Sequence, residues 1–432
     1  MKKEIFVRLI KDFWEKPLPS YIPRQKKFSF LDIRKIYVVV WPRRAGKTYF
    51  LYQIIDELLE KWVNKKNILY MYLEKSELYP LELKDLDILL EAFLELVSYN
   101  PSKTYFLFLD EIQIVPNWEK FAMKIYNDFP NIQLVLTGSN NDLLSSEIAS
   151  GLRWKATSFE ILPLGFQEVL DFKGVLYDNI PSTTKLVNYK QILNEILVWW
   201  TFPEIVKIPE IDDKLRILED YLEIMTFKDV VERFNLKSIK KIRYFEKLVL
   251  SYMWEFINLK KISQQVWADY NSILNWMDYF LQAYLWFEVK NFDFSIWKQQ
   301  KSQSKIYVLD NGYYSVNFYH YKEDLWKLFE NWVFMEFKKL GLKENKNIFY
   351  FKNSGFDIDF VLVNKQKNYF IQVVYELNEK NYTREVGQLL KLKKKYPDIV
   401  PVVIYKDNLL DELPEDVIFV PFYRINEIFK LF

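Results

Sequence analysis

Glycine is scarce: 9 residues against 14 tryptophans in a chain of 432, where about 7% is usual. Tight turns and phosphate-binding loops need glycine, so few positions can host them. Cysteine is absent and histidine occurs once, as His320; a disulfide framework and a multi-histidine metal site are both excluded. No run of about 18 uninterrupted apolar residues is present, and the N-terminal MKKEIFVRLIKDFWEKPL returns to charge too soon for a leader peptide. A cytoplasmic chain without a membrane anchor is expected. Lysine plus arginine (60) nearly cancel aspartate plus glutamate (58), so no global basic field advertises nucleic acid and any basic surface must be local.

Hydrophobic side chains, by contrast, make up half of the residues, with 27% charged. That is the profile of a folded protein, and the length calls for several cores rather than one. Apolar runs at 35–40, 68–73, 105–109 and 132–136 read as strands buried on both faces, and the segments 48–62 and 86–97 between them have helical spacing. Alternation of this kind predicts a parallel sheet covered on both sides. Beyond Leu164 the pattern turns helical, with helices predicted over 167–172, 184–198, 211–227 and 236–258. Residues 261–266 and 272–284, followed by a strand over 285–289, resemble a winged helix-turn-helix. Strands return from about Lys305, around helices at 324–340 and 384–395, as a separate α/β domain.

Chemistry concentrates at two strand ends. Trp41-Pro-Arg-Arg-Ala-Gly46-Lys47-Thr48 lies between the first strand and the first helix of the sheet, where successive backbone N–H groups and a helix N-terminus can face phosphates. Pro42, Arg43, Arg44, Ala45, Gly46, Lys47 and Thr48 are therefore the candidate nucleotide-binding residues. Lys47 is expected to reach the β- and γ-phosphates and Thr48 to offer its hydroxyl to Mg²⁺. The strand 105–109 ends in Asp110-Glu111, one carboxylate for the metal's water shell and one to polarise the attacking water. Ser139, in Thr137-Gly138-Ser139-Asn140 at the same sheet edge, is placed to sense the γ-phosphate, and Arg153 is a candidate for stabilising charge in phosphoryl transfer. ATP and Mg²⁺ are the expected cofactors. Trp41 stands against this reading, because the first residue of such a loop has to turn tightly close to phosphate.

The residues Pro42-Arg-Arg-Ala-Gly-Lys-Thr48, Phe108-Leu-Asp-Glu-Ile-Gln113, Leu136-Thr-Gly-Ser139, Ser158-Phe-Glu-Ile-Leu-Pro-Leu164, Thr201-Phe-Pro-Glu-Ile-Val206 and Lys305-Ile-Tyr-Val-Leu-Asp-Asn-Gly312 resemble the prokaryotic AAA-type P-loop ATPases that carry a C-terminal restriction-endonuclease-like domain of unknown function. The resemblance implies an α/β fold: an N-terminal helical segment (1–28), an AAA-type ATPase domain (29–165), a helical and winged-helix-like region (166–300) and a nuclease-like α/β domain (301–432). It implies an ATPase that repositions its C-terminal module. The other reading is a nucleotide-silent scaffold that binds DNA or a protein partner through the C-terminal half; neither identifies the oligomeric state.

In that family glycine is usual where this chain has Trp41, Trp154 and the pair Trp199-Trp200, and the helix-turn-helix turn at Trp267 also suits glycine. One hypothesis accounts for all five: UGA is read as glycine in the source organism and was rendered as tryptophan. A native peptide containing Trp41 would refute it.

A restriction-endonuclease-type site holds Mg²⁺ with an Asp and a nearby Glu or Gln, two residues before a Lys. Asp357 and Asp359 share one face of a strand, Gln372 lies on the next, and Glu330 on the preceding helix is a further candidate ligand. Gln372 is followed by Val373 and Val374, so the lysine of the pattern is missing and a vestigial nuclease site at Glu330, Asp359 and Gln372 is expected. A solvated face of an edge hairpin is the plain alternative for the two aspartates. His320, in Phe318-Tyr-His-Tyr321, reads as packing or surface.

Overall fold

The computed structural model describes residues 2–40, 42–138, 152–199, 201–253, 255–293, 295–318, 324–353 and 355–431. It divides into two compact units, Met1–Leu162 and Pro163–Phe432, three residues before the seam expected from sequence.

In the first unit a five-stranded, all-parallel sheet has the order β2-β3-β4-β1-β5. The strands are β1 (Ile36–Val40), β2 (Ile68–Tyr72), β3 (Tyr105–Asp110), β4 (Ile132–Gly138) and β5 (Ala156–Glu160). Every residue of β1 and β3 is buried, as continuous apolar strands inside a covered sheet must be. Four helices accompany them: α1 (Lys2–Glu15), α2 (Lys47–Glu60), α3 (Leu83–Leu96) and α4 (Trp118–Asp128). Helix α1 packs Phe6, Leu9 and Ile10 into the same core as Leu86, Leu89 and Phe93 of α3. Lys2 fixes that contact by pairing at 2.5 Å with Asp85, whose carboxylate also accepts the Glu82 N–H at 2.8 Å and so caps α3. The strand β5 escaped the periodicity analysis because Ala-Thr-Ser-Phe-Glu is only partly buried and belongs to an edge.

Parallel register brings three strand ends together. Val40 of β1 is opposite Gly138 of β4, and Leu109 of β3 is opposite Leu136; the residues after β1, Asp110 and Thr137 therefore share one edge of the sheet.

The second unit begins with helices α5 (Phe166–Phe172), α6 (Thr183–Val198), α7 (Pro203–Lys207) and α8 (Ile211–Ile224). The predicted helix over 211–227 instead passes into a π-helical stretch at Met225–Glu232. Next come α9 (Ile239–Ser251), α10 (Leu259–Val266) and α11 (Tyr270–Gln282), then an antiparallel ribbon of β6 (Trp286–Lys290) and β7 (Ser304–Val308) with α12 (Ile296–Lys301) between its strands. After α13 (Gly312–Asn317) and α14 (Leu325–Lys339), a mixed sheet of order β12-β11-β10-β9-β8 closes the chain. Its strands are β8 (Ile348–Asn353), β9 (Phe356–Val363), β10 (Asn368–Leu377), β11 (Ile399–Asn408) and β12 (Ile418–Pro421), with α15 (Glu379–Lys395) crossing between the parallel pair β10 and β11. Ile358, Val361, Phe370 and Val403 from the sheet and Val386, Leu389 and Leu392 from α15 share one core. No described helix is long and apolar enough to cross a membrane.

Candidate nucleotide site and a second polar cluster

The loop 42–48 runs from the end of β1 into α2. Arg44 (φ 65°) and Gly46 (φ 96°) both take the left-handed region, which lets successive N–H groups turn toward one side. Gly46 is the N-cap of α2 and has no side chain to occupy the first N–H groups of the helix, so they are free for an anion. Trp41, the residue most at odds with a phosphate loop, lies outside the described residues, as do Ser139 and His320. The Arg153 side chain is likewise outside them.

Lys47, Thr48, Asp110 and Glu111 come together at the sheet edge. Asp110 ends β3 fully buried and is ringed by hydroxyls: Thr48 Oγ1 donates to its Oδ2 at 2.7 Å, Tyr70 Oη to the same oxygen at 3.1 Å, and Thr137 Oγ1 to its Oδ1. Thr137 in turn accepts the Glu111 N–H at 2.9 Å. Burial raises the Asp110 carboxyl above its usual range, and the donors from Thr137 and Thr48 offset this only in part. Tyr70 is held protonated by burial and by Asp110.

Glu111 adopts a left-handed backbone (φ 60°), uncommon for a residue with a side chain and typical of functional positions. Its carboxylate is paired with the Lys47 ammonium and accepts from Gln113 Nε2. Burial acts to raise the Glu111 pKa, but Lys47, Gln113 and Arg43 outweigh it and hold the carboxyl below its ordinary value. The donor set fits a nucleotide–metal complex: an uncapped helix start, a buried ammonium, and a threonine hydroxyl on a strand-end carboxylate. Thr48 and Asp110 are the residues that would hold Mg²⁺.

Sequence reading missed Arg24. Its guanidinium, 9% exposed, donates to Ala45 O in the loop at 3.1 Å and to Leu162 O at 2.7 Å, while its main chain exchanges hydrogen bonds with the Gln53 amide of α2. An arginine in an irregular stretch carries no motif; only the fold shows that it ties the loop to the segment leaving the first unit.

The tryptophans divide. Trp267 is the C-cap of α10 with φ 56°, and Trp62 follows α2 with φ 65°; their indoles are 84% and 96% exposed. Both positions are helix ends where glycine is favoured. Trp154 is exposed without positive φ, Trp199 is extended with φ −107°, and Trp200 is outside the described residues. Trp62 was not among the five suspected from sequence.

In the second unit, Glu330 of α14, Asp359 of β9 and Gln372 of β10 do converge. No lysine follows Gln372 on β10; a lysine of another strand, Lys305 of β7, reaches Glu330 at 3.3 Å and Asp359 at 3.9 Å. Tyr307 Oη donates to Glu330 Oε1 at 2.7 Å, Val373 N–H to Asp359 Oδ2 at 2.9 Å, and Gln372 Nε2 to Glu385 Oε2 of α15 at 2.8 Å. Burial acts against the charge on Lys305, yet Glu330 and Asp359 raise its pKa overall. Asp359, above all through burial, lies well above the usual carboxylate range. Both aspartates belong to the inner strand β9, so the edge-hairpin alternative does not apply; Asp357 is nevertheless exposed and pairs with Lys352 at 3.0 Å.

The AAA domain family matches residues 33–170, and a domain of unknown function (DUF8612) matches 190–317, over the helical region rather than the closing sheet. Uncharacterized protein MJ1544 of Methanocaldococcus jannaschii is 34% identical over 438 aligned positions, covering 98% of this chain and 95% of that one. An uncharacterized protein of Haemophilus influenzae is 28% identical over 381, covering 87% and 91%. Among solved structures, a point variant of RuvB from Thermotoga maritima aligns at 16% identity over 59% of this chain and 82% of that one, with a TM-score of 0.28, a likeness too weak to carry an argument. The AAA match spans Lys47 and Asp110, and at 34% identity over almost the whole length of both proteins the chain, which carries an AAA domain, belongs to the same family as MJ1544.

Proposed function

We propose that this protein binds MgATP on the loop 42–48, hydrolyses it slowly, and uses the change of nucleotide state to reposition its helical and C-terminal regions. The observation that carries the reading is the convergence of Lys47, Thr48, Asp110 and Glu111 at one sheet edge. In it Lys47 faces the β- and γ-phosphates, Thr48 and Asp110 hold Mg²⁺ and its water, and Glu111 polarises the attacking water. Ser139 senses the γ-phosphate and Arg153 stabilises the charge that develops on transfer. Arg24 is the mechanical part: it grips both the loop carbonyl of Ala45 and the carbonyl of Leu162, the last residue of the first unit. Two residues on, Leu164 is held in the second unit by Lys339 Nζ on its carbonyl at 2.7 Å and by its own N–H on Thr201 O at 2.7 Å.

The test is calorimetric MgATP binding and phosphate release for the chain as written, for Trp41→Gly, and for Trp41→Gly with Lys47→Ala. Binding and turnover in the glycine version, lost with Lys47→Ala, support the proposal; a glycine version that neither binds nor turns over ends it.

One observation bears on the partner. Helix α11, the second helix of the winged-helix-like region, contains no lysine or arginine and exposes Tyr270 and Leu274. A helix that reads duplex DNA is flanked by cations that contact phosphate, so this face suits a protein partner. Fluorescence titration with short duplexes at low salt is expected to show no binding; salt-sensitive binding would reverse the choice.

A further inference from the structure

The two oxygens of the Asp110 carboxylate offer about four lone-pair directions, and the fold fills three of them. Thr48 and Tyr70 both donate to Oδ2, at 2.7 and 3.1 Å, and Thr137 donates to Oδ1. Among the described residues no further hydrogen bond or ion pair reaches either oxygen. Oδ2 is therefore closed by two protein hydroxyls, while Oδ1 keeps one open direction. Thr48 lies at the start of α2 and Thr137 on β4, next to β3. Tyr70 approaches from the opposite side, on the edge strand β2. There Tyr72 is the residue opposite Asp110 and Tyr70 is opposite Phe108, so the Tyr70 side chain leans two residues along the neighbouring strand to reach the carboxylate. Its ring is held between Tyr52 of α2, at a centroid distance of 5.1 Å, and Phe13 of α1, at 5.7 Å. Packing therefore places this hydroxyl before any ion arrives.

We propose that Tyr70 sets which divalent ion the nucleotide site accepts, by holding Asp110 to a single contact through water. The inference rests on the proposed roles of Thr48 and Asp110 as the holders of Mg²⁺. A carboxylate with one open direction can accept a hydrogen bond from one water of a metal's shell, but it cannot grip an ion through both oxygens at once. That arrangement serves Mg²⁺, which is small, keeps several of its waters and dehydrates reluctantly. It penalises Ca²⁺, which takes more oxygen ligands and uses carboxylates directly, in many sites through both oxygens. Tyr70→Phe keeps the ring and its packing and removes one donor, so that Oδ2 regains an open direction alongside that of Oδ1. Because Tyr70 acts through Asp110, it is a positioning residue.

The experiment is calorimetric binding of MgATP, CaATP and ATP in excess EDTA to the full chain carrying Trp41→Gly, with and without Tyr70→Phe. The substitution is expected to lower the preference for MgATP over CaATP at least about tenfold, the scale on which a metal site responds to losing a hydrogen bond behind its ligand. Binding of metal-free ATP is expected to stay unchanged. Tyr72→Phe removes a hydroxyl from the same strand, one that donates to Glu74 at 2.7 Å, and is expected to leave the metal preference where it was. General damage to the fold would weaken all three ligands together and leave the ratio alone. The proposal is overturned if Tyr70→Phe does not change the ratio of the two metal complexes although the parent binds MgATP, or if Tyr72→Phe shifts that ratio equally. A parent that binds neither metal complex overturns it together with the assignment of the nucleotide site.

Discussion

The Lys47 ammonium and the Glu111 carboxylate are each other's counter-ion across the end of the central sheet. In the proposed reaction one has to hold phosphate and the other to polarise water, so without nucleotide each occupies the other. Arriving phosphates compete for Lys47 and release Glu111. In the Trp41→Gly background, Glu111→Gln should leave MgATP affinity within a few-fold of its parent, because the ion pair that nucleotide has to break is gone. Turnover should fall by about a hundredfold or more, the usual worth of a positioned base. Parallel calorimetry and phosphate-release assays separate the two effects.

Arg24→Met removes the donors that serve Ala45 O and Leu162 O while keeping much of the side chain's bulk. Two buried carbonyls lose a charged partner, so the chain should lose about 2–3 kcal/mol of stability. Urea unfolding measures this loss. If Arg24 also transmits nucleotide state, MgATP will no longer change the rate of proteolytic cleavage near residue 163 in the variant, though it does so in the parent.

Trp62→Gly and Trp267→Gly test the helix ends. A left-handed backbone costs a residue with a side chain about 1–2 kcal/mol, while glycine's extra freedom in the unfolded chain costs about 0.4–1 kcal/mol. Both indoles are almost wholly exposed, so little burial is lost. Each substitution should stabilise the chain, by about 0.5–1 kcal/mol, as a higher urea midpoint. Trp199→Gly, in extended backbone, should give no such gain.

Glu246 gives a pH signature. Burial raises its pKa from 4.5 to about 7, although Thr226 Oγ1 donates to it at 2.7 Å. The folded chain then holds this proton more tightly than the unfolded chain does. The stability it contributes is complete below about pH 4.5, is lost as pH rises toward about 7, and is level above that. The whole change amounts to about 3 kcal/mol. Unfolding midpoints of the parent and of Glu246→Gln should differ in slope between about pH 4.5 and about pH 7 and run parallel on either side of that range.

The nucleotide site was legible because its residues are local in sequence: a buried strand followed at once by Gly46-Lys47-Thr48, and another followed by Asp110-Glu111. Tyr70 and Thr137 complete the ring around Asp110 from two other strands, and no spacing rule joins them. Arg24 was illegible for the same reason. In the second unit Val374 stands two residues beyond Gln372, whereas the cation beside Asp359 comes from β7, a strand of a different sheet. The edge strand β5 lacked an apolar signature because only part of it is covered. Trp62 escaped notice because its oddity is a dihedral angle, invisible until the helix end is built.

Pro163 lies between Leu162, whose carbonyl is satisfied by Arg24, and Leu164, whose N–H and carbonyl are satisfied by Thr201 and Lys339. Proline has no N–H of its own. The chain can therefore be divided there without orphaning either set of bonds: a fragment ending at Leu162 keeps the arginine clasp, and one beginning at Pro163 keeps both anchors of Leu164. The junction is a natural place to part the protein into two pieces, each of which keeps the bonds at its own end.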